Sequence, residues 1–338
     1  MSPHAAEGRE EVRAMLDAER AGRWAGRLIR PGHAPDHAAA VALVERLHRA
    51  ADRALPLAEH AGRLAGPLEA AGRREPAPVL VVDRSGWARA AARSMVTMVG
   101  SALPAGRSAT AQLALALAVL GTRVLGQFDP YTGRLLLVAP TIGEVGRSMG
   151  VDEDDFALWV CVHEQTHALQ FQAAPWLAGH LSGEATALLE SFARPGGDVQ
   201  LALESVVRAL RGGSDLPLSG LLDAEQAERL DRVTATMSLL EGHADVAMDA
   251  VPPAAIPSRR RLRAAMAARR TSGGWQQVVR RLMGMEAKHA QYRDGAAFVR
   301  QVRRAAPDAL DVAWSTPEAL PSVAEIADPA AWLSRTRP

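Results

Sequence analysis

Along most of the chain, apolar side chains recur at intervals of three and four residues, the spacing that gathers them on one face of an α-helix. The pattern predicts a mainly α fold. One stretch departs from it. Between Val124 and Ala139 two apolar runs flank Asp129-Pro130-Tyr131-Thr132-Gly133, which reads as a β-hairpin, because proline presets the turn and Gly133 can take the positive φ the return strand needs. Val79-Leu80-Val81-Val82 is a shorter strand candidate, and Asp83 or Ser85 after it can cap a helix running towards Val99. Glycine and proline cluster at residues 30–36, 71–78, 212–220, 251–257 and 271–274, marking breaks that are too short to be disordered linkers. The organisation expected is a helical region over residues 1–75 leading into the main region, 76–338, as one continuous globular unit.

The best delimited helix carries the chemistry. Asp152-Glu153-Asp154-Asp155 supplies a cap and negative charge at its start, and the helical pattern runs on to Phe171. On it sits His163-Glu164-Gln165-Thr166-His167. Residues four apart share one helical face, so both imidazoles can converge on one ion, with Glu164 set to act on water rather than on the metal. Zinc held by three protein ligands keeps a position for water and lowers its pKa towards neutrality, so that a carboxylate can take the proton. The motif therefore points to a zinc hydrolase with His163 and His167 as ligands and Glu164 as general base. Without a metal, it would be a helix with two half-exposed histidines and a solvated glutamate.

The third ligand is expected from Leu239-Leu-Glu-Gly-His-Ala-Asp-Val-Ala-Met-Asp249. Glu241 and Asp245 share a face there, an arrangement suited to a carboxylate ligand and an acid that orients a ligand histidine through its second N–H. Glu241 is the preferred ligand. His243, which points elsewhere on a regular helix, is the alternative, and a pair of arginine salt bridges is the plainer reading of the two acids.

Charge and cysteine content narrow the setting. Lys and Arg number 39 against 38 Asp and Glu, a formal net charge of +1, which gives no global attraction to nucleic acid or to an anionic membrane. Arg259, Arg260, Arg261, Arg263, Arg269 and Arg270 form a basic stretch without interleaved aromatics, so a solvated face is expected there rather than nucleic-acid binding. Cys161 is the single cysteine, which excludes an intrachain disulfide, and is expected to be a small core residue. No membrane insertion is expected, because the longest apolar run, residues 113–120, is far short of a spanning helix, and the charged N-terminus does not read as a secretory signal. A cytoplasmic location is expected, and the oligomeric state is left open.

The phrase Val160-Cys-Val-His-Glu-Gln-Thr-His-Ala-Leu169 resembles the active-site helix of gluzincins, and Glu241-Gly-His-Ala-Asp245 looks like their second ligand motif. Leu240 stands where the thermolysin-like pattern has asparagine, and the interval between the motifs is longer. The chain as a whole more closely resembles an actinobacterial group of zincin-like metallopeptidases, type 2, through Trp87, the 126–140 hairpin, Ala174-Pro-Trp176, residues 288–298 and the 320–326 tail. The resemblance implies a zincin-like helical metalloprotease core with a small hairpin or short sheet beside the active-site helix, a zinc cofactor and a peptide or protein substrate.

Such an enzyme needs a donor for the oxyanion formed when water attacks the carbonyl. Tyr292, in the matching stretch, is the candidate, and His243 is the alternative. His180 and His289 are expected to be structural. The hairpin could pair with an extended substrate. The function expected is an intracellular zinc metallopeptidase or amidase. The competing reading is a non-catalytic helical interaction protein that keeps the metal for folding, against which the retained Glu164 argues, since a purely structural site has no use for a base.

Overall fold

The computed structural model describes residues 18–32, 35–72, 75–99, 102, 106–192, 222–271 and 295–336. Tyr292, His289 and the 212–220 break lie outside the described residues, as does most of the 288–298 stretch.

Helix α1 (His37–Gly62) begins where the Asp36 carboxylate accepts the Ala39 N–H at 2.8 Å, and it ends at Arg63 in the left-handed conformation. Its buried stripe of Leu47, Ala50, Ala51, Ala54, Ala58 and Ala61 repeats at three and four residues. Small side chains on that stripe let α1 approach the central helix α2 (Glu153–Ala173), close enough for Gln165 Nε2 to reach the Ala51 carbonyl at 3.3 Å. Helix α2 is capped by Asp152, whose carboxylate accepts the Asp154 and Asp155 N–H groups. It is buried on nearly every side, Phe156 to Val162 without a break, which is why its sequence shows little amphipathic pattern beyond its cap.

A three-stranded sheet lies beside α2 in the order β1 (Val79–Val82), β3 (Arg134–Val138), β2 (Gly126–Asp129). β1 runs parallel to β3, and β2 pairs with it antiparallel as the expected hairpin, with Gly133 at φ +64°. The four apolar residues of β3 serve two cores: Leu135 and Leu137 face the one built on α1 and α2. Leu136 and Val138 face a second, smaller core with Trp87, the helix at 18–28, α3 (Arg84–Val99) and α4 (Arg107–Gly121). A strand covered on both faces reads as a continuous apolar run rather than an alternation. As expected, Asp83 caps α3, accepting the Gly86 N–H at 2.5 Å.

Two further helices complete the site's surroundings. Helix α5 (Ala224–Ala250) opens with a capping box between Asp223 and Gln226 and crosses α2. Helix α6 (Gly295–Ala305) packs on α5 where Gly242 and Gly295 meet: a Cβ on Gly242 would stand 2.1 Å from the Gly295 carbonyl carbon, so the two backbones touch. The basic stretch forms a helix, α7 (Arg259–Thr271), and it is not simply solvated. Arg259 donates to the carbonyls of Asp249 and Val251, and Arg263 pairs with the Asp249 carboxylate, so this end of the stretch closes the C-terminus of α5. No described helix is long and apolar enough to cross a membrane.

Candidate metal centre

Helix α2 presents His163 and His167 one turn apart, with their Nε2 atoms 3.1 Å from each other and their rings edge to face. Helix α5 crosses at this point and projects Glu241 between them. Its Oε1 lies 3.5 Å from His167 Nε2, and its Oε2 lies 3.8 Å from His163 Nε2. Two ligands bound to zinc at ordinary bond lengths and tetrahedral angles are separated by about 3.3 Å. The three spacings bracket that value, and among the described residues this is the group of His, Cys, Asp and Glu that could hold an ion. The donor set, two imidazoles and one carboxylate with all three side chains partly exposed, suits zinc with a position open to water.

Glu164 reaches β2, where its Oε2 accepts the Phe128 N–H at 3.1 Å. Val138 donates to the Leu125 carbonyl, so by antiparallel alternation Gln127 and Asp129 face β3 while Gly126 and Phe128 present their backbone groups to the outer edge. The Glu164 carboxyl is therefore hung on the sheet's edge strand. Glu164 is 7% exposed, and burial pushes its carboxyl up to about 7; Glu241 adds to the rise, while His163 and the Phe128 N–H oppose it.

The outward nitrogens of His163 and His167 have partners. His163 Nδ1 rests 3.3 Å from Met248 Sδ, and His167 Nδ1 lies 2.8 Å from Gln170 Oε1. Burial holds the His167 pKa below its usual value, His163 adds to this, and Glu241 and Asp245 pull the other way, which places Asp245 within electrostatic reach of the site. The contact on His167 Nδ1 is with an amide, whereas the sequence pointed to the Asp245 carboxylate as the group that orients a ligand histidine.

His243 is corrected in both roles considered for it. It is fully buried, with Nδ1 2.9 Å from Gln170 Nε2, Nε2 2.9 Å from the Gly62 carbonyl, and its ring edge to face with Trp314. Neither nitrogen is available to an ion or an oxyanion. Burial, with Arg303 adding its charge, pushes its pKa down to about 3, so it is neutral. Cys161 is buried as expected, and burial raises its thiol far above the usual range. Sequence reasoning missed Gln170, Gly126 and Gly242. The signal for Gln170 was a polar residue three positions past His167, between Leu169 and Phe171.

No curated protein matches the chain. A crystal structure from Chloroflexus aurantiacus, described as a "putative hydrolase with a novel fold", is similar at 27% identity and a TM-score of 0.62, with 96% of this chain and 97% of that one covered. The model of the zincin-like metallopeptidase family matches residues 16–333, a span that includes His163, Glu164, His167 and Glu241, and the chain belongs to that family.

Proposed function

We propose that this protein is a zinc-dependent hydrolase that cleaves peptide or amide bonds, with His163, His167 and Glu241 as ligands and Glu164 as general base. One observation carries the reading: two imidazole nitrogens 3.1 Å apart, with a carboxylate whose oxygens lie 3.5 and 3.8 Å from them, stand beside a buried carboxyl that does not belong to the ligand set. Zinc, when bound, would polarise the scissile carbonyl and make a water acidic enough to be deprotonated at neutral pH. Glu164 would take that proton and return it to the leaving amine as a general base and then a general acid. The Phe128 N–H restrains the carboxylate's second oxygen, so the group is aimed before substrate arrives.

The substrate side of the proposal rests on β2. Among the described residues no strand pairs with its outer edge, where Glu164 takes the Phe128 N–H, so an extended peptide that paired with the edge beyond that group would lie beside the base.

Metal content of the purified protein, measured beside His163→Ala and Glu241→Ala, tests the ligand set. About one zinc per chain in the parent, lost in both variants, supports it. Hydrolysis of a peptide library by the parent and not by Glu164→Gln then supports the enzyme. Zinc uptake with no cleavage of any peptide would favour a metal-stabilised interaction protein, and a parent that takes up no zinc would sink both readings.

A further inference from the structure

The tautomer of His167 is set from outside the metal centre. Its Nδ1 meets the Gln170 amide, whose other end lies 3.0 Å from the Leu240 carbonyl and 2.9 Å from His243 Nδ1. A carbonyl only accepts, so the atom facing Leu240 is the amide NH2 and the atom facing His167 is its oxygen. His167 Nδ1 must then donate. This leaves the lone pair on Nε2, the atom beside Glu241 and His163. The second amide hydrogen goes to His243 Nδ1, which must be bare, so the His243 proton sits on Nε2 and is donated to the Gly62 carbonyl at 2.9 Å. Arg303 Nη2 donates to the same carbonyl at 2.6 Å and stands 3.0 Å from His243 Nε2. A charged or reversed His243 has no acceptor left to it.

Both polarities therefore descend from two backbone carbonyls, Leu240 and Gly62, which cannot change role. Gln170 and His243 are each 0% exposed, so water does not compete for the contacts. The chain of bonds ties the end of α1, the ligand helix α2 and the crossing helix α5 together, and α6 closes it through Arg303.

We propose that Gln170 and His243 are positioning residues of the metal centre: a buried relay that holds His167 with its proton on Nδ1 and its Nε2 lone pair aimed at the ion. The proposal rests on the reading of His163, His167 and Glu241 as zinc ligands. It assigns to a neutral amide backed by a histidine the part that a carboxylate more often plays behind a ligand histidine.

The test uses the full chain and two readouts. Nitrogen-15 NMR of the imidazoles in metal-free protein reports the tautomers, and competition with a chelator reports zinc affinity. The expected parent has His167 protonated on Nδ1 and neutral His243 protonated on Nε2. Gln170→Leu is expected to lose the fixed His167 tautomer and roughly 10–100-fold in zinc affinity. His243→Ala should move both readouts the same way. His243→Asn, whose Oδ1 can sit where Nδ1 stood and accept from Gln170, should restore most of the affinity, which a loss of packing alone would not allow. If His243→Ala does not fold, Gln170→Leu and His243→Asn decide. A metal-free parent with His167 protonated on Nε2, or a folded Gln170→Leu that binds zinc within about twofold of the parent, overturns the relay. A parent that binds no zinc overturns the metal centre itself, and the two failures are told apart because the tautomers are read without metal.

Discussion

A Cβ on Gly126 would stand 2.7 Å from Cγ of Glu164 and 3.0 Å from its Cδ. Gly126 lies on the outer edge of β2, two residues before the Phe128 N–H that holds the same carboxylate. The strand can pass the base at this distance only without a side chain, so the glycine is needed for its absence of volume rather than for an unusual φ. Gly126→Ala is expected to push Glu164 off its hydrogen bond and to lower peptide hydrolysis by about 100-fold, the scale of a displacement near 1 Å at a reacting group. Zinc content should not change, because none of the three ligands touches Gly126 in the way Glu164 does. Paired rate and metal assays on the variant check this, and a variant with parental activity would show that Glu164 does not need the position described.

Burial of Glu164 has a consequence for stability against pH. The carboxyl titrates near 4.5 when exposed and near 7 in the folded chain, so between those values the folded state holds a proton that the unfolded state has released. Stability from this group is complete below about 4.5 and falls as pH rises through 7. Glu164→Gln removes the group while keeping an oxygen for the Phe128 N–H. In metal-free protein the variant's melting temperature should gain on the parent's across this window, by a few degrees at pH 7.5 relative to pH 4.5. Using the difference between the two proteins cancels the titration of groups that do not act on Glu164, His243 among them. A constant difference at all pH values would show that the carboxyl is not desolvated.

If His163, His167 and Glu241 hold zinc as proposed, metal removal should weaken the fold, because the three residues come from two helices far apart in the chain. Zinc at 100 times its dissociation constant stabilises by about 2.7 kcal/mol if it binds only the folded state. Thermal melts with and without chelator should therefore differ in the parent and coincide in His167→Ala. Equal melts in the parent would show that the metal contributes nothing to the crossing of α2 and α5.

The contact of Gly242 with Gly295 predicts a large effect from one methyl group. Gly242→Ala would place its Cβ 2.1 Å from backbone that has no flexible end to move aside. The two helices must separate, at a cost on the order of 3 kcal/mol, typical of severe overpacking. Because Glu241 and His243 flank this residue, separation should also weaken zinc binding. Chemical denaturation and chelator competition read the two effects, and a variant with parental values in both would refute the tight crossing.

The parts of this molecule that were legible in its sequence are those settled by neighbours along the chain. Histidines four apart on a helix capped by Asp152 share a face whatever the rest of the protein does, and Asp129-Pro130 with Gly133 turns a hairpin on local geometry alone. Glu241 could be picked out because its helix was readable and its chemistry suited the pair. The tertiary structure decided everything that depends on how two helices cross. Gln170 meets His243 across a gap of 73 positions, and the Phe128 N–H meets Glu164 across 36. The first depends on how α5 crosses α2, the second on Gly126, whose missing side chain lets β2 pass Glu164. Periodicity tells which face of a helix is apolar. It does not tell which polar atom will stand opposite once the face is covered, and so His243, the alternative third ligand, became part of a buried hydrogen-bonded chain.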